Sequence, residues 1–227
     1  MRKGQVITID GPAGAGKSTV GKELSKRLSY IYLDTGALYR AIAYQLRRNN
    51  ITEDDKDQIK DLCLKININL KNQEGYMRVF VNDEDITDKI RTEDLGLLAS
   101  KISALPVVRE TLFHVQRTAG KNGGIIAEGR DMGTVIFPDA DIKFFLDASV
   151  KERVRRRYQE LTMHGYFVDY QEVERDLIRR DKQDRERKVA PLIPSENAVI
   201  IDSTTMTADD VVEKMISIIQ SPAGMKT

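Results

Sequence analysis

A glycine-rich segment near the N-terminus has the residue types and spacing of a phosphate-binding loop. Residues 11–18, here called the phosphate loop, follow the pattern G-x-x-x-x-G-K-[ST]. Glycines allow the backbone to turn its N–H groups into one concavity, where Lys17 can reach the β- and γ-phosphates and Ser18 can ligate Mg²⁺. The residues expected to contact a nucleoside triphosphate are Gly11, Pro12, Ala13, Gly14, Ala15, Gly16, Lys17, Ser18 and Thr19.

The rest of the chain limits what such a loop can do. The guanine-reading pattern Asn-Lys-x-Asp and the switch pattern Asp-x-x-Gly are both absent, and the 227 residues are too few for a transporter or remodelling ATPase. Small-molecule kinases remain the main class. An ATP-binding sensor without turnover is the alternative from another class, and a second set of arginines disfavours it.

Two polar segments follow predicted strands, where an acceptor would bind. An acid, a glycine, an arginine and another acid, residues 128–131, end a predicted strand at residues 124–127. Ligands bind at this edge of open parallel sheets, and Glu128 is placed to support Mg²⁺ through water. Thr35 and Arg40 follow the strand predicted at residues 31–33. The alternatives are a charged turn for the first segment, and an N-cap with a surface charge for the second.

Arginine is concentrated in one stretch of the chain. Residues 147–187 hold 9 of the 19 arginines. Arg153, Arg156 and Arg157 share one predicted helix face. Arg180, Asp184 and Arg187 share another, although a solvated ladder of ion pairs would give the same spacing. We predict a lid over about residues 150–190 that closes on phosphates, because phosphoryl transfer is stabilised mainly by Arg, Lys and Mg²⁺.

Composition excludes several other classes. Lys and Arg total 36 against 35 Asp and Glu, which leaves a formal charge of +1 and no sign of nucleic-acid binding. The single cysteine cannot form an intramolecular disulfide, and no apolar run approaches the ~18 residues of a membrane span. A soluble, monomeric protein of the cytoplasm is expected.

Alternating strand and helix patterns predict the elements that position these residues. Short apolar strands at residues 6–9, 31–33, 124–127, 142–146 and 198–201, separated by helices, indicate an α/β fold with a parallel sheet. Residues 66–70 and 77–81, joined by a turn at residues 73–75, predict an antiparallel hairpin. We assign residues 1–60 and 101–227 to the core and residues 61–100 to an inserted lobe.

The motifs as a set resemble the bacterial cytidylate kinase family. The similar segments, from about residue 5 to residue 220, are IDGPAGAGKST, DTGALYR, AEGRDMGTVIFPDA, FLDAS, RDKQDRERKVAPL and IDSTT. The resemblance implies a P-loop kinase fold with a small β insert and a helical lid. It also implies transfer of the γ-phosphoryl group of ATP to CMP or dCMP, in pyrimidine nucleotide metabolism. A kinase for UMP or dTMP is the nearest alternative.

The resemblance also implies residue roles. Thr35, Arg40, Arg130 and Arg187 would hold the acceptor phosphate. Ser100, Arg109 and Asp131 would read cytosine, and Arg180 with Asp184 would hold the sugar. A carboxylate accepts from cytosine N4 but meets an acceptor, O4, in uracil. The catalytic set is Lys17, Arg130, Arg153, Arg156, Arg157 and Arg187. Two positions depart from the common family pattern: Glu128 replaces a frequent Asp, and Ser18 replaces a Gly found in some members.

Overall fold

The computed structural model describes residues 4–73 and 75–221. Glu74, in the predicted hairpin turn, and the terminal residues 1–3 and 222–227 of the predicted core lie outside the described residues. The strands are β1 (Val6–Asp10), β2 (Ile31–Asp34), β3 (Ile68–Gln73), β4 (Tyr76–Val81), β5 (Glu84–Asp85), β6 (Ile125–Gly129), β7 (Ile142–Asp147) and β8 (Val199–Asp202). The helices are α1 (Lys17–Leu28), α2 (Thr35–Arg48), α3 (Lys56–Lys65), α4 (Glu93–Ile102), α5 (Pro106–Ala119), α6 (Val150–Met163), α7 (Tyr170–Glu186) and α8 (Ala208–Ile219). A single π-helical turn covers Met132–Ile136.

The chain forms two compact units. Unit 1 contains residues 4–6 and 25–128, and unit 2 contains residues 7–24 and 129–221. Unit 2 is therefore built from two segments that are far apart in the sequence. The phosphate loop belongs to its first segment and the arginine-rich stretch to its second.

The sheet of unit 1 runs in the order β3-β4-β2-β6, and β5 pairs with β4. β2 and β6 are parallel, whereas β3 and β4 form the predicted antiparallel hairpin. β4 also pairs in parallel with β2 through Tyr32 and Tyr76, so the hairpin continues the sheet. The hairpin is confirmed, while the limits of the inserted lobe stay a prediction.

The core of unit 1 follows from the amphipathic pattern of α2. Its apolar residues Leu38, Ile42 and Leu46 recur at intervals of four, and each is fully buried. They belong to one buried cluster with residues of α3, the hairpin, α4 and α5. This cluster holds the start of α2, where Thr35 and Arg40 lie.

The strands of unit 2 are parallel, in the order β1-β7-β8. Every residue of β1 is buried, as expected for a strand covered on both faces. With the parallel strands and the hairpin of unit 1, these pairings confirm the predicted fold class. The strand predicted at residues 198–201 is observed as β8, one residue later.

The two helices of the predicted lid, α6 and α7, pack on each other through a small apolar cluster. Val154, Leu161, Val173 and Leu177 are its buried members. Ser149 and Asp169 cap the two helices, each accepting a hydrogen bond from a backbone N–H three residues later. The remaining surface of both helices is highly charged, so this cluster is the main apolar contact of the pair.

The structure differs from the sequence-based expectations in three places. The apolar pattern predicts a helix near residues 37–48, but α2 begins at Thr35, because the Asp34 carboxylate caps it by accepting from the N–H of Ala37. α7 ends at Glu186, so Arg187 is the extended residue that follows the helix, not a member of its face. α3 was not predicted, and it lies across the expected boundary at residue 60.

In the described part of the chain, no helix combines the length and the apolar character needed to cross a bilayer.

We expect Leu177→Ala to lower the free energy of unfolding by about 2–4 kcal/mol, because it empties space in the α6–α7 cluster. The matched control is Ile178→Ala on the next residue, where the side chain is 48% exposed, compared with 3% for Leu177. The control should change stability by less than about 0.5 kcal/mol. Urea unfolding of both variants measures this, and equal losses would show that the cluster does not stabilise the helix pair.

Candidate active site

The glycines of the phosphate loop are required by close backbone contacts within unit 2. Gly11 has φ 151° and Gly14 has φ 74°, in the region that favours glycine. A Cβ at Gly11 would overlap the carbonyl oxygen of Leu146 at the end of β7. A Cβ at Gly14 would lie 2.9 Å from the carbonyl oxygen of Arg153 in α6. The loop backbone is therefore in direct contact with the backbones of β7 and α6.

Cationic side chains satisfy the carbonyl oxygens of this loop. Lys17 Nζ donates to the Pro12 carbonyl at 2.7 Å. Arg153 donates to the Ala13 carbonyl at 3.1 Å, and Arg156 donates to the Ala15 carbonyl at 3.3 Å. A loop that turns its N–H groups inward points its carbonyls outward, so these donors match the geometry that phosphate binding needs.

Arg153 is the most deeply buried arginine of the predicted lid. Its side chain is 2% exposed and forms an ion pair with Asp181 of α7 at 2.6 Å, besides donating to the Ala148 carbonyl at 2.9 Å. Arg156 donates to the Ser203 carbonyl at 2.6 Å, and Arg157 pairs with Glu160 at 2.7 Å. The three arginines thus differ: two contact the phosphate loop, whereas Arg157 is paired along its own helix.

The oxygen donors predicted for Mg²⁺ suit that ion chemically. Ser18 and Thr19 are exposed at the start of α1, and a hydroxyl oxygen is a hard ligand of the type Mg²⁺ prefers. Glu128 is 5% exposed at the end of β6 in unit 1. Among the described residues, no group of three or more His, Cys, Asp or Glu side chains could hold a metal by itself. At either place the ion would need substrate phosphates and water as its other ligands, as is usual for Mg²⁺.

Four residues of the predicted acceptor site form a charge cluster in unit 2: Arg130, Asp131, Asp184 and Arg187. Arg130 Nε donates to Asp184 at 2.8 Å. The Arg187 guanidinium lies 3.7 Å from Asp131 and 3.8 Å from Asp184. The Asp131, Asp184 and Arg187 side chains are 3–7% exposed. The spacing of Asp184 and Arg187 therefore does not reflect a ladder of solvent-exposed ion pairs. Arg180, one turn before Asp184 on α7, is half-buried.

A functional candidate missed by the sequence analysis is Asp10, the last residue of β1. It is 2% exposed, and its two carboxylate oxygens accept from the N–H groups of Met132 at 2.8 Å and Gly133 at 2.7 Å. Burial raises the pKa of Asp10 from its ordinary value of 3.8 to about 6, against the lowering effect of these hydrogen bonds. An acid directly before the first loop glycine, at the end of a buried strand, was the signal that could have identified it.

In unit 1, the start of α2 brings together Asp34, Thr35, Arg40 and the end of β6. Thr35 Oγ1 donates to the Glu128 carbonyl at 2.6 Å, so its hydroxyl is not the helix cap. Arg40 pairs with Asp34 at 2.7 Å and is not a lone surface charge. Burial acts to raise the pKa of Asp34, but the guanidinium groups of Arg40 and Arg91 outweigh it, so that the pKa is lowered overall.

The two residues assigned only by resemblance also lie in unit 1. Arg109 of α5 is 8% exposed, donates to the Ser103 carbonyl at 3.3 Å and lies 5.8 Å from the centre of the Tyr39 ring. This distance is within the range of a cation–π contact. Ser100 of α4 is half-buried, and its carbonyl accepts from Ser103 Oγ at 2.7 Å. Ser103 therefore connects the backbone at Ser100 with the Arg109 side chain.

A phosphate loop between a buried parallel strand and a helix, with cations on its carbonyls, defines a P-loop nucleotide-binding protein. A family model described as cytidylate kinase matches residues 7–221. The cytidylate kinase of Citrifermentans bemidjiense is 48% identical over 217 residues, which cover 96% of this chain and 93% of that protein. The cytidylate kinase of a Geobacillus species is 43% identical over 99% of this chain and 100% of that protein. The chain belongs to the cytidylate kinase family, as its motifs predicted.

The fold also occurs among solved structures. The crystal structure of an uncharacterized protein from Eubacterium ventriosum superposes with a TM-score of 0.50 over 96% of this chain and 98% of that chain. The two sequences are 15% identical, so this likeness concerns the fold alone.

We expect Arg153→Met to lower the free energy of unfolding by about 3–5 kcal/mol, because it leaves the buried Asp181 carboxylate without its cation. The control is Arg155→Met, which breaks a pair with Glu152 in which the arginine side chain is 52% exposed. That variant should lose less than about 1 kcal/mol. Denaturant unfolding of the two variants makes the comparison, and similar losses would contradict the assigned role of the buried pair.

We expect Asp10 to make stability depend on pH in an unusual direction. Its pKa is higher in the folded chain than in the unfolded chain, so the folded state binds more protons between about pH 4 and about pH 6. Its contribution is therefore largest below pH 4 and is lost as pH rises through 6. Relative to Asp10→Asn, the wild type should lose up to about 1.4 kcal/mol per pH unit in this window and nothing above it. Unfolding at a series of pH values tests this, and a flat difference would contradict the raised pKa.

Proposed function

We propose that the protein transfers the γ-phosphoryl group of ATP to CMP or dCMP, giving ADP and CDP or dCDP. Membership of the cytidylate kinase family supports this reaction. The observation that carries it is the pairing of a phosphate loop with a separate buried cluster of arginines and carboxylates. A protein that only senses ATP needs the first of these features but not the second.

The phosphate loop and its cations are proposed to bind and orient the triphosphate. Backbone N–H groups of the loop would hold the β-phosphate, and Lys17 would move from the Pro12 carbonyl to the phosphates. Ser18, with Glu128 through water, would hold Mg²⁺, which supplies charge neutralisation on the transferred group. Because Arg153 is buried on the Ala13 carbonyl, we assign it to holding the loop rather than to contact with a phosphate. Arg156 and Arg157 are assigned to the triphosphate.

The acceptor is assigned to the residues that the family motifs imply. Thr35, Arg40, Arg130 and Arg187 would bind the phosphate of CMP, since arginine can donate to two phosphate oxygens at once. Asp131, Ser100 and Arg109 would read cytosine, with the Asp131 carboxylate accepting from N4. Arg180 and Asp184 would hold the sugar. Arg40, Arg130 and Asp184 already have protein partners, which they would exchange for the substrate.

The chemical step needs no general base. An oxygen of the acceptor phosphate, already ionised, forms the new bond to the γ-phosphorus as the bond to the β–γ bridging oxygen breaks and ADP leaves. The loose transition state spreads charge over the transferred oxygens, which Lys17 and the arginines stabilise. A role in pyrimidine nucleotide metabolism follows from these substrates. The cytoplasmic location and the monomeric state stay predictions.

The test is an assay of ADP formation from ATP and Mg²⁺ with CMP, dCMP, UMP, AMP, GMP or dTMP as acceptor. CMP and dCMP should react, with UMP slower by about 100-fold or more. Lys17→Ala should lower kcat by about 10²- to 10³-fold with an unchanged circular dichroism spectrum. Turnover led by UMP or dTMP would contradict the cytosine contacts. ATP binding without turnover on any acceptor would favour the sensor.

A further inference from the structure

One side chain, Asp10, fixes the backbone that carries the proposed cytosine-reading residue. Its carboxylate accepts from two consecutive N–H groups, those of Met132 and Gly133, which lie more than 120 residues further along the chain. These groups begin the π-helical turn Met132–Ile136, where N–H groups have no partner within the turn. A carboxylate at a helix start satisfies them and also opposes the partial positive charge there.

Asp131 is held at the peptide that follows it. On its C-terminal side, the next peptide N–H, that of Met132, is bound to Asp10. Its own carbonyl accepts from the N–H groups of Val135 at 2.9 Å and Ile136 at 3.1 Å. The peptide between Asp131 and Met132 is therefore held at its oxygen and at its nitrogen, which restricts the orientation of the Asp131 backbone from which the side chain projects.

The turn packs closely on β1, the strand that ends at Asp10. A Cβ at Gly133 would lie 2.7 Å from Ser195 Oγ and 3.1 Å from Thr8 Oγ1 of β1. The Asp131 side chain is 3% exposed beside Arg187. A displacement of about 1 Å at a site of this kind can change rates by about 100-fold. The orientation of Asp131 should thus depend on the Asp10 hydrogen bonds.

We propose that Asp10 is a positioning residue for cytosine selectivity: by holding the N–H groups of Met132 and Gly133, it sets the direction of the Asp131 carboxylate. This inference rests on the proposed function, in which Asp131 accepts from cytosine N4. Asp10 itself does not touch the nucleotide base. Both oxygens of its carboxylate accept from the two backbone N–H groups. Asp10 directly precedes the phosphate loop and is not one of the residues that the loop comprises.

The test is a double-mutant cycle on selectivity between CMP and UMP, with Asp10→Asn, Asp131→Ala and the double variant. The amide of Asn can accept from one N–H but presents its own N–H₂ to the other. Asp10→Asn should therefore lower the ratio of kcat/KM for CMP to that for UMP by about tenfold, while KM for ATP changes less than about twofold. In the Asp131→Ala background, Asp10→Asn should have no further effect on the ratio.

The matched control is Asp210→Asn. Asp210 is also a carboxylate that accepts a backbone N–H at a helix start, that of Thr207 at 2.9 Å, in the capping box of α8. It should leave the CMP-to-UMP ratio unchanged. If Asp10→Asn does not fold, Asp10→Ser, with a hydroxyl too short to reach both donors, takes its place in the cycle.

The outcomes separate the inference from the proposed function. A wild type that does not prefer CMP to UMP contradicts the proposed function before any variant is made. If the wild type prefers CMP, then an unchanged ratio in the Asp10 variant, additive effects in the cycle, or an equal rise in KM for ATP and CMP overturns the positioning role. A loss of selectivity that disappears in the Asp131→Ala background supports it.

Discussion

The phosphate loop can point its N–H groups at an anion only if its carbonyl oxygens find donors elsewhere. In this protein the donors are cations: Lys17, Arg153 and Arg156 bind the carbonyls of Pro12, Ala13 and Ala15. The same groups supply positive charge next to the proposed triphosphate site. The hydrogen bonds that fix the loop geometry therefore also set its electrostatics, and two of them join α6 to the loop.

A second constraint is that the charged residues of the proposed acceptor site are paired with one another. Arg130 and Arg187 are held by Asp131 and Asp184, largely out of solvent. Isolated buried charges would be costly, and pairing the two signs offsets that cost and orients the side chains. A nucleoside monophosphate brings both a phosphate for the arginines and polar groups for the carboxylates. It can therefore replace the internal ion pairs while giving both the arginines and the carboxylates a new partner. A simple anion would give a partner to the arginines alone.

Sequence patterns were sufficient for the features that depend on local periodicity. The buried strand and helix around the phosphate loop and the hairpin all follow from residue spacing within about twenty residues. The contacts of Asp10 and Arg153 do not, because they join residues 122 and 140 positions apart. The cap at Asp34 and the end of α7 before Arg187 were missed for another reason. In each case two adjacent polar residues could occupy the last position of the helix or its cap, and residue spacing does not distinguish between them.

The hydrogen bond from Arg153 to the Ala13 carbonyl affects how the chain folds during synthesis. The loop leaves the ribosome 140 residues before the arginine that completes it. At about 5–20 residues per second, this interval is on the order of ten seconds. Throughout it the N-terminal strand and loop lack the second segment of unit 2, whereas unit 1 becomes available by residue 128. Nucleotide binding is thus among the last properties that a nascent chain gains.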